Sequence, residues 1–330
     1  MLAVPANKIE RLLVLVMNPA LAGFDDFLEI SREIQSLEPT IAIHILTPRD
    51  KPGAVPAHKW KWPALTIGIG TRLGDFIPAR GGIMQARTVK KIDQFARFKS
   101  LGIATPMTAR LDEKQDYPEE TWGEFVVLKT LPLTLTSGGE DVRMMRTRRL
   151  ARLCATGEIW SVLGNRTPRL VQAFVDTGKT PTSWRILTLL GRPLHCVKNM
   201  CPVLRPELDA DDREIESSIV ATNHHRLPQP HAGSEMRSQE SEPEILEFAQ
   251  RVSKAYPRIP LQGIDAVRDI NTGKLYALEI NGGGNTWHFS SPRAAKSRRE
   301  GLTRAIRISQ FNAWKVAAEA LIAAVNSEAS

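Results

Sequence analysis

Cysteine is scarce in this 330-residue chain, which holds only Cys154, Cys196 and Cys201. Three thiols make no disulfide framework, so the fold has to rest on a buried core, and the pattern suits a reducing cytoplasm. No apolar run approaches transmembrane length, so no membrane partner is expected. The N-terminal run at residues 12–17 is too short for a signal-peptide core and ends at Asn18-Pro19, so it reads as a strand. The basic stretch 293–307 lacks interleaved aromatics, which argues against a nucleic-acid-binding module. No internal repeat is present. What the chain does have is ordinary for a soluble globular protein: 42% hydrophobic and 24% charged residues. Its length allows a large core and two or three lobes. The net charge of +8 favours an anionic ligand but is too diffuse to imply nucleic acid by itself.

Residues 11–17, 41–46 and 65–69 read as short apolar strands. Between the first two, Phe24, Phe27, Leu28, Ile34 and Leu37 recur at helical spacing behind Asp25 and Asp26. This alternation predicts a small α/β lobe ending near Gly81-Gly82. A helix should follow, capped by Thr88, closed by Gly102 and buried along Val89, Ile92, Phe95 and Ala96. Further strands are expected at 125–129, 142–145, 170–175, 184–190 and 193–198, with an arginine-rich helix at 147–156. Arg143, Arg146, Arg148, Arg149 and Arg152 read first as its solvated face and second as a contact for an acidic substrate. Residues 202–243 change to a polar, partly acidic composition and read as an exposed insertion. The chain closes on one amphipathic helix with Phe311, Trp314, Ala317, Ala318, Leu321, Ile322 and Val325 on its apolar face.

The most informative stretch is 261–289, LQGIDAVRDINTGKLYALEINGGGNTWHF. It reads as strands 261–269 and 274–281 joined by the turn Ile270-Asn271-Thr272-Gly273. Alternation puts Glu279 and Asn281 on one face and Tyr276, Leu278 and Ile280 on the other. Ile264 and Ala266 turn Asp265 to the polar face, beside Glu279 and Asn281. Two carboxylates and an amide oxygen suit a hard cation such as magnesium, which reaches proteins through one or two carboxylates plus substrate phosphates. A solvated acidic hairpin explains the acids but not a Leu-Glu-Ile-Asn strand that ends in three glycines. Upstream, Lys129 ends an apolar strand and precedes Ser137-Gly138-Gly139. Backbone amides of such a loop can cradle phosphate oxygens, and the lysine adds a point charge.

The hairpin resembles the metal-binding hairpin of the ATP-grasp superfamily, in its glutathione synthetase-like and ribosomal-protein glutamate ligase-like branches. Val126-Val127-Leu128-Lys129 is similar to that family's Val-Val-Lys strand, and Ser137-Gly138-Gly139 to its glycine-rich clamp. Lys91, ahead of Gly102-Ile103-Ala104-Thr105-Pro106, resembles the family's helix-borne lysine, although Lys90 is adjacent. Val171-Gln172-Ala173-Phe174-Val175-Asp176 resembles the hinge that binds adenine through its backbone. Ala173 departs from the family glutamate there, which removes any role of that side chain. The resemblance implies that Gln172, Phe174 and Val175 meet adenine, that Asp176 takes the ribose hydroxyls, and that Arg185 and Lys198 stabilise an acyl phosphate. Ser183 replaces the aspartate usually found before that arginine.

The implied fold is α+β, an ATP-grasp fold with an N-terminal α/β lobe at 1–85. Its two grasp lobes would be 86–170 and 171–330, with the insertion 202–243 in the second. The implied activity is ATP-dependent carboxylate–amine ligation with ATP and one or two Mg2+ ions, on a small-molecule or peptide substrate for which acidic character is admitted. A phosphotransferase on the same fold and a non-catalytic ATP-binding regulator remain alternatives. The run Ala173–Thr180 ends in Gly178-Lys179-Thr180 and so approaches a P-loop, but its first glycine is alanine and Pro181 follows where a helix is required. Cys196 and Cys201 with His224, His225 and His231 make a loose set for zinc.

Overall fold

The structure is a computed structural model that describes residues 9–131, 142–218, 236–238, 241–292, 294–295 and 302–330. The first unit contains β1 (Arg11–Met17), α1 (Phe24–Leu37), β2 (Ile41–Leu46), β3 (Ala64–Ile69) and β4 (Gly82–Met84), in a parallel sheet of order β2-β1-β3-β4. From Leu12 to Met17 β1 is apolar and buried because it is covered on both faces. Leu12, Val14 and Val16 pack with Trp60 and Phe76, and Leu13, Leu15 and Met17 pack with α1.

The second unit opens with α2 (Lys91–Ser100) and continues through β5 (Thr108–Arg110), α3 (Glu119–Trp122), β6 (Phe125–Thr130), β7 (Val142–Arg146), α4 (Thr147–Ala155), α5 (Ile159–Leu163) and β8 (Arg169–Ala173). Its antiparallel sheet has the order β5-β8-β6-β7. Val126, Leu128, Met145 and Val171 bury one face against α4 and α5. Strand alternation turns Val127, Lys129 and Gln172 the other way. α2 begins at Lys91, with Lys90 as an extended N-cap, rather than at Thr88. Its buried stripe is Gln94, Phe95 and Phe98, with Val89 ahead of the helix and Ala96 exposed. Its end agrees with the sequence: Gly102 has φ +67°, the left-handed conformation that closes a helix.

The third unit holds β9 (Thr182–Leu189), β10 (Arg192–Met200), α6 (Asp212–Ser217), β11 (Met236–Ser238), α7 (Pro243–Ser253), β12 (Leu261–Arg268) and β13 (Leu275–Asn281). The antiparallel order is β11-β10-β9-β12-β13, with β13 at one edge. Trp184, Ile186, Cys196, Ile264, Ala266, Ala277 and Ile280 face α7. On the opposite face Leu187, Leu189, Leu194 and Leu261 join β1, β3 and the C-terminal helix in one core. That helix is two, α8 (Arg304–Phe311) and α9 (Ala313–Glu328), broken at Asn312, whose φ of 53° is left-handed. The chain end returns to the first sheet, where Ala64 N donates to Ser330 O at 3.2 Å.

The arginine cluster departs from a wholly solvated face. Arg146 is buried and Arg149 partly so, and both grip α6, while Ile215 of α6 packs on Phe125 and Met144. The described start of the 202–243 insertion is therefore a strap from the third unit onto the second.

Candidate functional site

The hairpin places its polar groups through a defect rather than through unbroken alternation. Gly263 lies opposite Asn281, Ile264 opposite Ile280 and Asp265 opposite Glu279, but nearer the turn the partners are Ala266 and Ala277, then Val267 and Tyr276. The ladder slips by one residue between Asp265 and Ala266, a bulge that reverses the facing of β13. Tyr276, Leu278 and Ile280 therefore do not share a face. Leu275, Ala277 and Ile280 enter the α7 core, and Tyr276 and Leu278 are only half-buried.

Beyond the bulge, Asp265, Glu279 and Asn281 meet. Asn281 Nδ2 donates to Glu279 Oε1 at 3.1 Å and to Asp265 Oδ2 at 3.4 Å. Arg185, opposite Asp265 on β9, takes that carboxylate with two contacts, Nε to Oδ1 at 2.5 Å and Nη2 to Oδ2 at 2.8 Å. Gly263 makes room for the guanidinium, since a Cβ there would stand 2.8 Å from Arg185 Nη1. Lys91 Nζ sits 2.8 Å from Glu279 Oε2. Burial alone would raise the Glu279 pKa, but the Lys91 ammonium and then Arg185 outweigh it and hold the carboxyl well below its usual range.

Lys129 approaches from the second sheet. Its Nζ donates to Gln172 Oε1 at 2.5 Å, and Gln172 Nε2 donates to Thr108 Oγ1 at 2.9 Å. Burial, and next the Lys91 charge, lower the Lys129 pKa to about 8, against the opposing pull of Glu279 and Asp265. One electrostatic cluster thus draws Lys129 from β6, Lys91 from α2, Arg185 from β9 and the acids from β12 and β13.

Residues 174–176 continue the chain from β8, the strand that carries Gln172. Phe174 N donates to Phe125 O at 3.0 Å, while the backbone of Val175 makes no hydrogen bond among the described residues. Asp176 Oδ1 accepts from Gly178 N at 2.9 Å and from the buried Arg205 at 2.8 Å. Lys198 is not brought to the cluster. It pairs with Trp184 across β9 and β10, and its ammonium lies 5.7 Å from that ring's centre. Trp184 and Arg185 are successive strand residues, so Lys198 is on the sheet face opposite the acids. Ser137, Gly138 and Gly139 lie outside the described residues, as do His224, His225 and His231.

The segment after β13 is anchored tightly. Gly284, at φ +64°, donates to Gly70 O at 3.0 Å, and a Cβ on Gly282 would meet Arg87 O at 2.7 Å. Trp287 and Phe289 then enter the shared core, where Trp287 stacks on Trp314 with centroids 6.0 Å apart. Sequence reasoning missed Gln94, Gly263 and Arg205. Gln94 left one signal, a polar residue one helical turn from Lys91 on the side that should be apolar.

The donor chemistry fits magnesium: two carboxylates and an amide, which presents its oxygen if it turns over. Lys91 and Arg185 supply the compensating charge in the present arrangement. Among the described residues there is no group of three or more His, Cys, Asp or Glu side chains that could hold a metal ion, so a site here needs the Asn281 amide and ligand oxygens beside the two acids.

No family model and no curated protein matches the chain. Solved structures do. The ATP-grasp ligase PsnB, complexed with a phosphomimetic variant of its minimal precursor, Mg and ADP, is 11% identical over 96% of this chain and 99% of its own, at a TM-score of 0.50. PsnB with precursor peptide PsnA2 and AMPPNP is 11% identical over 95% of this chain and 98% of its own, also at 0.50. At such identity the likeness is one of fold.

Proposed function

From a chain with the ATP-grasp fold, we propose an ATP-dependent carboxylate–amine ligase that works through an acyl phosphate. The observation that carries this reading is the convergence of Lys129 and Lys91 on Asp265, Glu279 and Asn281. Phosphoryl transfer asks a protein mainly for positioning and charge neutralisation, and this cluster offers both. The two lysines would meet the phosphates, and the open backbone at Val175 would meet adenine beside Phe174, with Asp176 near the ribose. Gln172 aims Lys129 through its hydrogen bond. Asp265, Glu279 and Asn281 would hold one or two Mg2+ ions, which when bound offset charge on the phosphates.

In the reaction a substrate carboxylate oxygen attacks the γ-phosphorus and the bond to the β–γ bridging oxygen breaks, releasing ADP. An amine then attacks the acyl carbon, loses a proton, and phosphate departs with the acyl oxygen. Arg185 orients Asp265 through its double contact and carries positive charge at the cluster's edge. PsnB's bound precursor peptide favours a peptide as one substrate here.

Hydroxylamine tests this directly, because it intercepts an acyl phosphate. With ATP, Mg2+ and a pool of amino acids and acidic peptides, the protein should yield ADP and a hydroxamate. Glu279→Ala should lower that yield by roughly a few hundred-fold, the usual loss for one electrostatic contact to a transition state. A phosphorylated product that resists hydroxylamine would mean a kinase. ATP-dependent thermal stabilisation without either product would mean a regulatory binder.

A further inference from the structure

β13 is an edge strand, and an edge strand presents backbone groups that need partners. Among the described residues no further strand supplies them. At Ala277 the loop after α2 does, with Ala277 N donating to Ala104 O at 2.9 Å and Thr105 Oγ1 to Ala277 O at 2.9 Å. At Ile280 a single side chain does. Ile280 N donates to Gln94 Oε1 at 2.7 Å, and Gln94 Nε2 donates to Ile280 O at 3.0 Å. The second Nε2 hydrogen goes to Val89 O at 3.0 Å. Gln94 is only 3% exposed, so neither it nor Ile280 has water as an alternative partner.

Ile280 is the residue between Glu279 and Asn281. Gln94 is three residues after Lys91 on the same helix, a spacing that puts both on one face. We propose that Gln94 is a positioning residue of the metal site: its carboxamide pins the backbone between two of the ligands and fixes their distance from Lys91. A glutamine amide matches the donor and acceptor of a peptide edge, which a carboxylate or an ammonium at this position cannot do. Lys91 and Glu279 form an exchangeable ion pair, and the pin keeps Glu279 in register when Lys91 turns from it to a phosphate. This inference rests on the nucleotide-and-metal reading above.

The test is calorimetric binding of ADP, first without divalent metal and then across a Mg2+ titration, on wild type, Gln94→Met and Gln94→Glu. Gln94→Met keeps the length and removes all three hydrogen bonds, whereas Gln94→Glu keeps the acceptor for Ile280 N. Outer-shell partners of metal ligands typically tune affinity by about 10- to 100-fold. Gln94→Met should raise the Mg2+ concentration for half-saturation by roughly that factor with metal-free ADP affinity unchanged, and Gln94→Glu should fall between. Gln262→Met is the stability control, because Gln262 is also buried and its Nε2 donates to the carbonyls of Ser253, Tyr256 and Ile259. A Mg2+ dependence that is unchanged in both Gln94 variants, or shifted as much by Gln262→Met, overturns the positioning role while leaving the nucleotide site standing. Wild-type protein whose ADP binding ignores Mg2+ overturns the metal reading and this proposal together.

Discussion

Lys129 is a cation held where burial disfavours its charge, with its pKa brought down to about 8. Between pH 8 and about 10.4, the ordinary lysine value, the unfolded chain binds a proton that the folded one does not, so stability should rise with pH across that window. Lys129→Met should abolish the rise, as read from denaturant unfolding at successive pH values. A triphosphate beside Lys129 would reverse the balance by favouring the ammonium. At pH near 9, ATP binding should take up a large part of one proton, and at pH 6.5 almost none. Calorimetry in buffers of different ionisation enthalpy measures this, and equal proton uptake at both pH values would remove Lys129 from the phosphate site. The lysine was legible as the polar end of an apolar strand. Its restraint by Gln172 was not, because that contact joins residues 43 apart in sequence and depends on how β6 and β8 pair.

The β12–β13 hairpin shows where alternation is a sufficient guide and where it stops. Asp265, Glu279 and Asn281 were readable from residue type, and β1 and β2 appear at the expected residues because short apolar runs bounded by turn signals leave little choice. The bulge left no mark in the sequence. An unbroken ladder from the turn would have set Glu279 out of step with Asp265, so the extra residue restores the pairing that the turn loses. Lys198 illustrates the opposite failure: one residue along β10 changes the face of the sheet, and family spacing alone did not fix that parity. The resemblance gave Arg185 the role of stabilising an acyl phosphate, and the structure adds a double contact with Asp265 set by cross-strand register, which the sequence did not show. The first of the three glycines has a steric reason at this scale, and the third has a conformational one in its φ of +64°. Gly282→Ala would put a methyl 2.7 Å from the Arg87 carbonyl and 2.7 Å from Ile259 Cγ2, and a backbone oxygen cannot swing aside. We expect a loss of about 1–3 kcal/mol in stability. Because Asn281 is the preceding residue, weaker Mg2+ dependence of nucleotide binding should accompany it. A variant as stable as wild type would show that the strand end can shift.

Across the whole molecule, the described part of the insertion joins the second and third units next to the hinge. Leaving β10, the chain pairs Arg205 with Asp176, then reaches the second sheet, where α6 docks on β7 and α4. Arg146 is the centre of that contact. Its Nη2 donates to the carbonyls of Leu208 at 2.9 Å and Ala210 at 2.6 Å, its Nη1 reaches Glu124 at 2.9 Å, and its Nε lies 3.2 Å from Asp212. The guanidinium also covers the Phe125 ring at 5.1 Å from its centre. Truncation therefore takes this donor from two carbonyls and from two acids, Glu124 and Asp212, at a site where the arginine was only 8% exposed. Such a loss costs about 2–4 kcal/mol when the partners stay buried, and less if the strap lifts and lets water in. Lifting is the easier course, because Glu124 and Asp212 already face solvent in part. Arg146→Ala should accordingly speed amide exchange within Asp212–Ser217 far more than in β1 or β3, whose cores it does not touch. Under the proposed nucleotide site, release of nucleotide should also be faster, since the strap packs on Phe174 and pairs with Asp176. Uniform acceleration of exchange along the chain would instead mean that the strap unfolds only with the whole protein, and that it does not act as a separate tether between the lobes.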